Sequence, residues 1–386
     1  HGEIIALGET RRLQAVQEGL GGIRDVILGG SQSVYCDIFG RSDGPTRRAR
    51  GSVLFISSSP RVVMEVIAVI LLAGLAFGLT RQPGELVSML PTLGALTLGA
   101  QRLFPAFQQA YASWSNIMGA RVGLVDALEL LEQPLPYAGG PPDSWPISFK
   151  HEIRFDRVRF RYTSDGPWII DEIDFCLPKG ATIGIVGATG CGKSTLLDLV
   201  AGLLEPVEGQ VLVDGRPMDG DMVSAWQAEI AHVPQDVFLA DSSFVENIAF
   251  GVVPAKIDLE LVRESAKRAQ IANYIEELPE GYDSRVGENG VLLSGGQKQR
   301  IGIARALYRC SSVLIFDEAT NALDIRTERL VMDSIREDDP NLTIVIVAHR
   351  HQSVGTCDTV IEVGNGKVIG EGTYEALLQE SATFRR

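Results

Sequence analysis

No two of the five cysteines, Cys36, Cys176, Cys191, Cys310 and Cys357, stand at a CxxC or other paired spacing. That excludes a disulfide scaffold or a zinc framework and leads us to expect a reducing setting for most of the chain. Positive charge is also scarce, with 35 lysines and arginines against 49 acidic residues and a net charge of −14. Nucleic acid as the main partner needs a basic face to neutralise phosphates, so no nucleic-acid partner is expected. A nucleotide held locally is not excluded. The chain has no internal repeat and no low-complexity tract, and it starts at His1 with nothing signal-like behind it, as expected of a fragment or processed chain.

Two apolar runs are present. Residues 62–79 carry one charge, Glu65, and residues 86–104 form a weaker run ending near Arg102. Taken as spans of about 55–79 and 86–106, both reach the roughly 20 residues that cross a bilayer. The turn-forming connector 80–85 makes the pair a helical hairpin. Arg41, Arg47, Arg48 and Arg50 before it and Arg121 after it place both outer ends in the cytoplasm. A charge at mid-bilayer costs about 2.5–3.5 kcal/mol, so Glu65 and Arg61 are expected to face a cavity, another helix or each other. The alternative is a buried hairpin of a soluble protein. Residues 5–52 and 105–132 read as cytoplasmic extensions of the two helices.

The Pro- and Gly-rich stretch 132–149 marks a linker, which leaves residues 1–131 as a partial all-α transmembrane domain. Beyond it, 150–386 alternates short β-like runs with helical patterns, the sign of an α/β domain with a largely parallel sheet. Within it, "ATIGIVG" runs into "GATGCGKST", which puts Gly187, Gly190, Cys191, Gly192, Lys193, Ser194 and Thr195 at P-loop spacing between a strand and a helix. Backbone amides there would wrap a β-phosphate, Lys193 would reach the β- and γ-phosphates, and Ser194 would ligate Mg²⁺. Cys191, at a helix start beside Lys193, is expected to react with maleimides unless ATP shields it. About 120 residues later, "SVLIFDEATNALD" ends a buried strand in Asp317, suited to the magnesium shell, and Glu318, suited to activating water. In "LLSGGQKQR", Ser294, Gly295 and Gly296 open a helix, half of an anion site.

Taken together, "GATGCGKST", "LSGGQ", "LIFDEAT" and "IVIVAHR" resemble the ATP-binding cassette family over essentially all of 150–386. The resemblance implies an α/β P-loop NTPase working as a head-to-tail dimer, in which Ser294, Gly295, Gly296 and Gln297 face the γ-phosphate held by a partner's P-loop. It implies an adenine-stacking role for Tyr162, contact of Gln235 with Mg²⁺ and the membrane domain, a D-loop role for Asp324, and a γ-phosphate contact for His349. Asn321 stands where many members have Ser, and Glu288 matches a short loop that exporters place near their coupling helices. The hydrophobic spans resemble the last two of six helices of an exporter half-transporter, with 17–79 and 84–131 as the fifth and sixth helices and 1–16 in an intracellular loop. A looser likeness points to flippases of lipid-linked oligosaccharides. The expectation is an ATP- and Mg²⁺-dependent inner-membrane exporter or flippase with a cytoplasmic nucleotide domain. It would pair with a second half-transporter subunit as a homodimer, contact membrane lipid and move a lipid-linked or amphipathic substrate. The alternative is a soluble cassette ATPase with a non-transport task.

Overall fold

A computed structural model describes residues 2–80, 86–133, 149–319, 322–348, 354–381 and 384. The chain separates into two compact units, His1–Leu135 and Pro136–Arg386.

The first unit is helical: α1 (Gly2–Gly21), α2 (Ile23–Leu28), α3 (Gln32–Thr80) and α4 (Leu86–Leu131). The continuous helix expected over 17–79 is therefore broken twice, at Gly21-Gly22 and at Gly29–Ser31. Gly30 adopts φ +61, and the amide of Ser31 closes back on the carbonyl of Val26 at 3.0 Å. A glycine in that left-handed region ends a helix without Cβ strain. Close packing then joins α1 to α3. A Cβ on Gly8 would lie 1.9 Å from Thr46 Oγ1, and Ala15 and Ala49 are buried. Arg12 and Arg47 pair with Asp43 at 3.2 and 2.6 Å, and Arg50 pairs with Glu9. Among the described residues no helix carries an 18-residue window apolar enough to cross a membrane. Residues 81–85 of the connector and several side chains of the two expected spans, that of Arg61 among them, lie outside the described residues.

Among its described residues the second unit carries ten strands: β1 (Glu152–Phe160), β2 (Ile170–Pro178), β3 (Thr182–Val186), β4 (Glu208–Val213), β5 (Arg216–Pro217), β6 (Ile230–Val233), β7 (Val313–Asp317), β8 (Thr343–Val347), β9 (Thr359–Gly364) and β10 (Lys367–Gly372). Its helices are α5 (Lys193–Val200), α6 (Asp221–Ala228), α7 (Phe244–Ile248), α8 (Leu259–Arg268), α9 (Ala272–Glu276), α10 (Gly295–Tyr308), α11 (Ile325–Asp338) and α12 (Tyr374–Glu380). One sheet, in the order β2-β1-β4-β5, is antiparallel. The other, β10-β9-β3-β8-β7-β6, is parallel except for the β9–β10 hairpin at its edge.

Unbroken apolar runs suit central strands covered on both faces. Ile183, Ile185, Val345 and Val347 turn into one core, while Ile344 and Ile346 turn into the other. Burying each such side chain stabilises the fold by about 1.5–3 kcal/mol. The sheet therefore holds the ends of β3, β7 and β8 in fixed register, with Ile183 opposite Val345 and Phe316 opposite Ile346. Trp226 of α6 is fully buried and donates its indole N–H to the carbonyl of Val200 at 2.8 Å, which pins the far end of α5.

Candidate functional site

The segment between β3 and α5 turns on three glycines with positive φ: Gly187 at 155°, Gly190 at 79° and Gly192 at 103°. Gly187 is also sterically fixed, because a Cβ there would lie 2.1 Å from the carbonyl oxygen of Val363. Lys193 is buried, and its ammonium donates to the carbonyls of Gly187 and Ala188 at 2.8 and 3.0 Å. The cation thus sits inside its own loop, where anionic oxygens can replace the carbonyls as acceptors. Ser194 presents an exposed hydroxyl on the first turn of α5, and Thr195 is buried with its Oγ1 3.1 Å from the hydroxyl of Tyr162. Loop residues 187–191 edge a cavity of about 750 Å³.

Cys191 departs from expectation. Its thiol is buried in the core with Val363, and a Cβ on Gly187 would lie 2.8 Å from its sulfur. At 8% exposure the residue runs against the ready maleimide reaction expected from its helix-start position. Labelling at Cys191 is now expected to be slow with or without Mg-ATP, while the exposed Cys36, Cys176 and Cys310 react first. Mass-spectrometric peptide mapping after a short maleimide pulse would reveal the order.

At the acidic end, Asp317 closes β7 beside the end of β8, in register with Val347. Burial pushes its carboxyl up, His232 and Lys193 oppose that rise, and Glu318 and Asp198 add to it. A divalent cation there would relieve the repulsion among the carboxylates. Ser194 and Asp317 are hard oxygen donors of the type magnesium takes, one or two from the protein beside substrate phosphates. Among the described residues no cluster of three or more His, Cys, Asp or Glu side chains could hold a metal on its own. Glu318 stands at φ 51, a left-handed conformation at a non-glycine residue, with its amide on the Val347 carbonyl at 3.1 Å. Such an outlier costs about 1–3 kcal/mol and persists where the surroundings impose it. His232 and Asp198 were not among the residues expected here. The signal was available: His232 is the polar interruption of the otherwise buried strand "IAHV", and burial lowers its pKa while Asp317 and Asp198 raise it.

Ser294 is the N-cap of α10. Its hydroxyl accepts the amide of Gln297 at 3.3 Å, while the side-chain oxygen of Gln297 accepts the amide of Ser294 at 2.7 Å. Gly296 packs on the loop that follows β7, where a Cβ would lie 3.0 Å from the carbonyl of Ala322. Gln299, which the sequence did not single out, accepts the Ala322 amide at 3.0 Å and ties the two together. Asp324 caps α11, with its carboxyl held low by the hydroxyl and amide of Thr327. Gln235 does not line the phosphate-loop cavity. It shares a second cavity, of about 620 Å³, with Phe238, Asn289, Gly295 and Gln299. Glu288 is exposed beside that cavity's Asn289. His349 and Asn321 lie outside the described residues.

The parallel sheet, the glycine loop at the carboxyl end of β3 and the acidic pair at the end of β7 define the class: a P-loop nucleotide-binding domain. Residues 170–321 match the family profile described as ABC transporter. An ATP-dependent lipid A-core flippase of Chromohalobacter salexigens is 33% identical over 368 residues, covering 95% of this chain and 63% of that protein. The heterocyst differentiation ATP-binding protein HepA of a Nostoc species is 40% identical over 231 residues, 60% of this chain and 38% of that protein. In three dimensions, a bacterial Atm1-family ABC exporter with ATP bound aligns at a TM-score of 0.87 and 27% identity, covering 99% of this chain and 67% of that one. The chain belongs to the ATP-binding cassette family, and it spans less than two thirds of the length of these two curated relatives.

Proposed function

We propose that the chain is the larger part of an exporter or flippase half-transporter. It would hydrolyse Mg-ATP to move a lipid-linked or amphipathic substrate across the inner membrane, as a dimer with a cytoplasmic nucleotide domain. The observation that carries this reading is the match of nearly the whole chain, helical unit included, to an exporter with ATP bound. In the proposed site, Lys193 and the amides of 187–194 hold the phosphates. Ser194 and Asp317, with Gln235, would hold Mg²⁺, which would supply charge neutralisation at the transferring phosphoryl group. Glu318 accepts a proton from the attacking water and His349 contacts the γ-phosphate. The partner's Ser294–Gln297 stretch completes the pocket, and Asp324 holds the start of α11 at the same interface.

Proteoliposomes containing the full-length gene product test this. ATP-dependent movement of a lipid-linked sugar, a lipid or a peptide is expected, and the one that moves names the cargo. Failure of all three together with retained ATPase activity would leave the transport reading without support. The other reading is a soluble cassette ATPase with a non-transport task. Recovery of the protein in a high-salt wash without detergent would select that alternative.

A further inference from the structure

The nucleobase side of the site has a feature that the phosphate chemistry leaves unused. Trp168 and Ile169, just before β2, line the same cavity of about 750 Å³ as loop residues 187–191, together with Asn365 and Gly366 of the β9–β10 turn. Tyr162 is not among the lining residues. Its hydroxyl is engaged with Thr195, and its ring stands edge-on to Phe160 at 5.0 Å. A nucleotide seated by its phosphates at the loop therefore meets an indole on the cavity wall as well as any stack on Tyr162.

The indole is held in an electrostatically defined place. The guanidinium carbon of Arg161 lies over its ring at 4.5 Å, and that of Arg159 at 5.7 Å. Arg159 is ion-paired with Asp171 at 3.0 Å and Glu208 at 3.1 Å, and Nε of each arginine is buried with no hydrogen-bond partner among the described residues. A cation on an aromatic face orients the ring, and a ring held in place loses little entropy when a base stacks on it.

We propose that Trp168, positioned by Arg161, is a second wall of the nucleobase pocket and sets the chain's preference for purine nucleoside triphosphates. Stacking strength grows with ring area, so a purine gains more from the indole than a pyrimidine does. The proposal rests on the nucleotide-site reading above and adds to it a residue outside the phosphate loop.

Calorimetric titration of the full chain with Mg-ATP, Mg-UTP and Mg-tripolyphosphate, a probe with the phosphates but no base, tests it. Trp168→Ala is expected to weaken ATP binding about tenfold or more, within the range for losing one base–aromatic stack. It should narrow the gap between ATP and UTP and leave tripolyphosphate affinity within about twofold of the wild type, since the phosphates keep their own contacts. Trp168→Phe should recover most of the loss. Arg161→Gln, which spares the indole, should cost about two- to fivefold for ATP alone. If Trp168→Ala unfolds the domain, the Phe and Gln variants carry the test by the same ATP-to-tripolyphosphate comparison. Equal losses for ATP and tripolyphosphate would reduce Trp168 to a structural residue, and unchanged ATP binding would also overturn the proposal. Lys193→Ala separates the two readings, because it should weaken tripolyphosphate as well. If wild type binds neither ligand, the nucleotide site itself is refuted and this inference falls with it.

Discussion

Glu318→Gln is expected to bind Mg-ATP as tightly as the wild type and to turn it over about 10²–10⁴-fold more slowly, the range that a positioned general base contributes. Gln keeps the length and shape of the side chain, and the backbone at φ 51 is demanded equally of both residues. Only the proton acceptor is lost. The variant should accumulate a nucleotide-bound dimer, visible as an ATP-dependent shift in size-exclusion chromatography. Hydrolysis at a near-normal rate in the purified variant would remove Glu318 from the catalytic role. Lys193→Ala should behave in the opposite way. Charge-assisted hydrogen bonds contribute about 1.5–3 kcal/mol, so its nucleotide affinity is expected to drop about 10- to 150-fold.

The second large effect concerns which chain uses Ser294. If the α10 cap serves a partner's phosphate loop, Ser294→Arg alone should lower ATPase activity by about 10²-fold or more, as removal of a transition-state donor does. Lys193→Ala alone should do the same. A heterodimer of the two variants then places both lesions in one composite site and leaves the other intact in composition, so activity returns on mixing unless the two sites are strictly coupled. Use within one chain would leave both sites damaged and the mixture dead. Strict coupling gives a dead mixture too, so crosslinking of cysteines placed in the phosphate loop of one chain and beside Ser294 of another settles the case. Crosslinks confined to one chain would refute the shared site.

The parts of this site that could be read from the sequence depend on short-range signals. The β3–loop–α5 segment announces itself through glycines at fixed spacing, and the α10 start through a Ser–Gln cap, because both are set by neighbours within a few residues. What escaped notice lies between distant segments. Gln299 reaching Ala322 spans 23 positions, and Arg159 reaching Glu208 spans 49. No local pattern encodes either. The antiparallel β2-β1-β4-β5 sheet was missed for the same reason, since strands pair by burial and register and not by proximity in the chain. The continuous helix over 17–79 failed differently. Gly21-Gly22 and Gly29-Gly30 interrupt an otherwise helical pattern, and the backbone follows the glycines. The buried thiol of Cys191 reflects the fold around Val363, which the loop sequence alone does not contain.

The reciprocal cap at Ser294 also fixes the polarity of that surface. A serine hydroxyl has one proton to give and two lone pairs to accept with. One lone pair is committed to the Gln297 amide, and the Gln297 oxygen that could have competed as an outward acceptor is turned back onto the Ser294 amide. That leaves the hydroxyl proton and one lone pair of Ser294, the side-chain amide hydrogens of Gln297 and the backbone amides of Gly295 and Gly296, a set in which hydrogen-bond donors predominate. Such a surface acts as a one-way filter. It receives oxygen-rich anions and offers a metal cation or an ammonium group very little, so the cap sorts its visitors by charge before shape has any say.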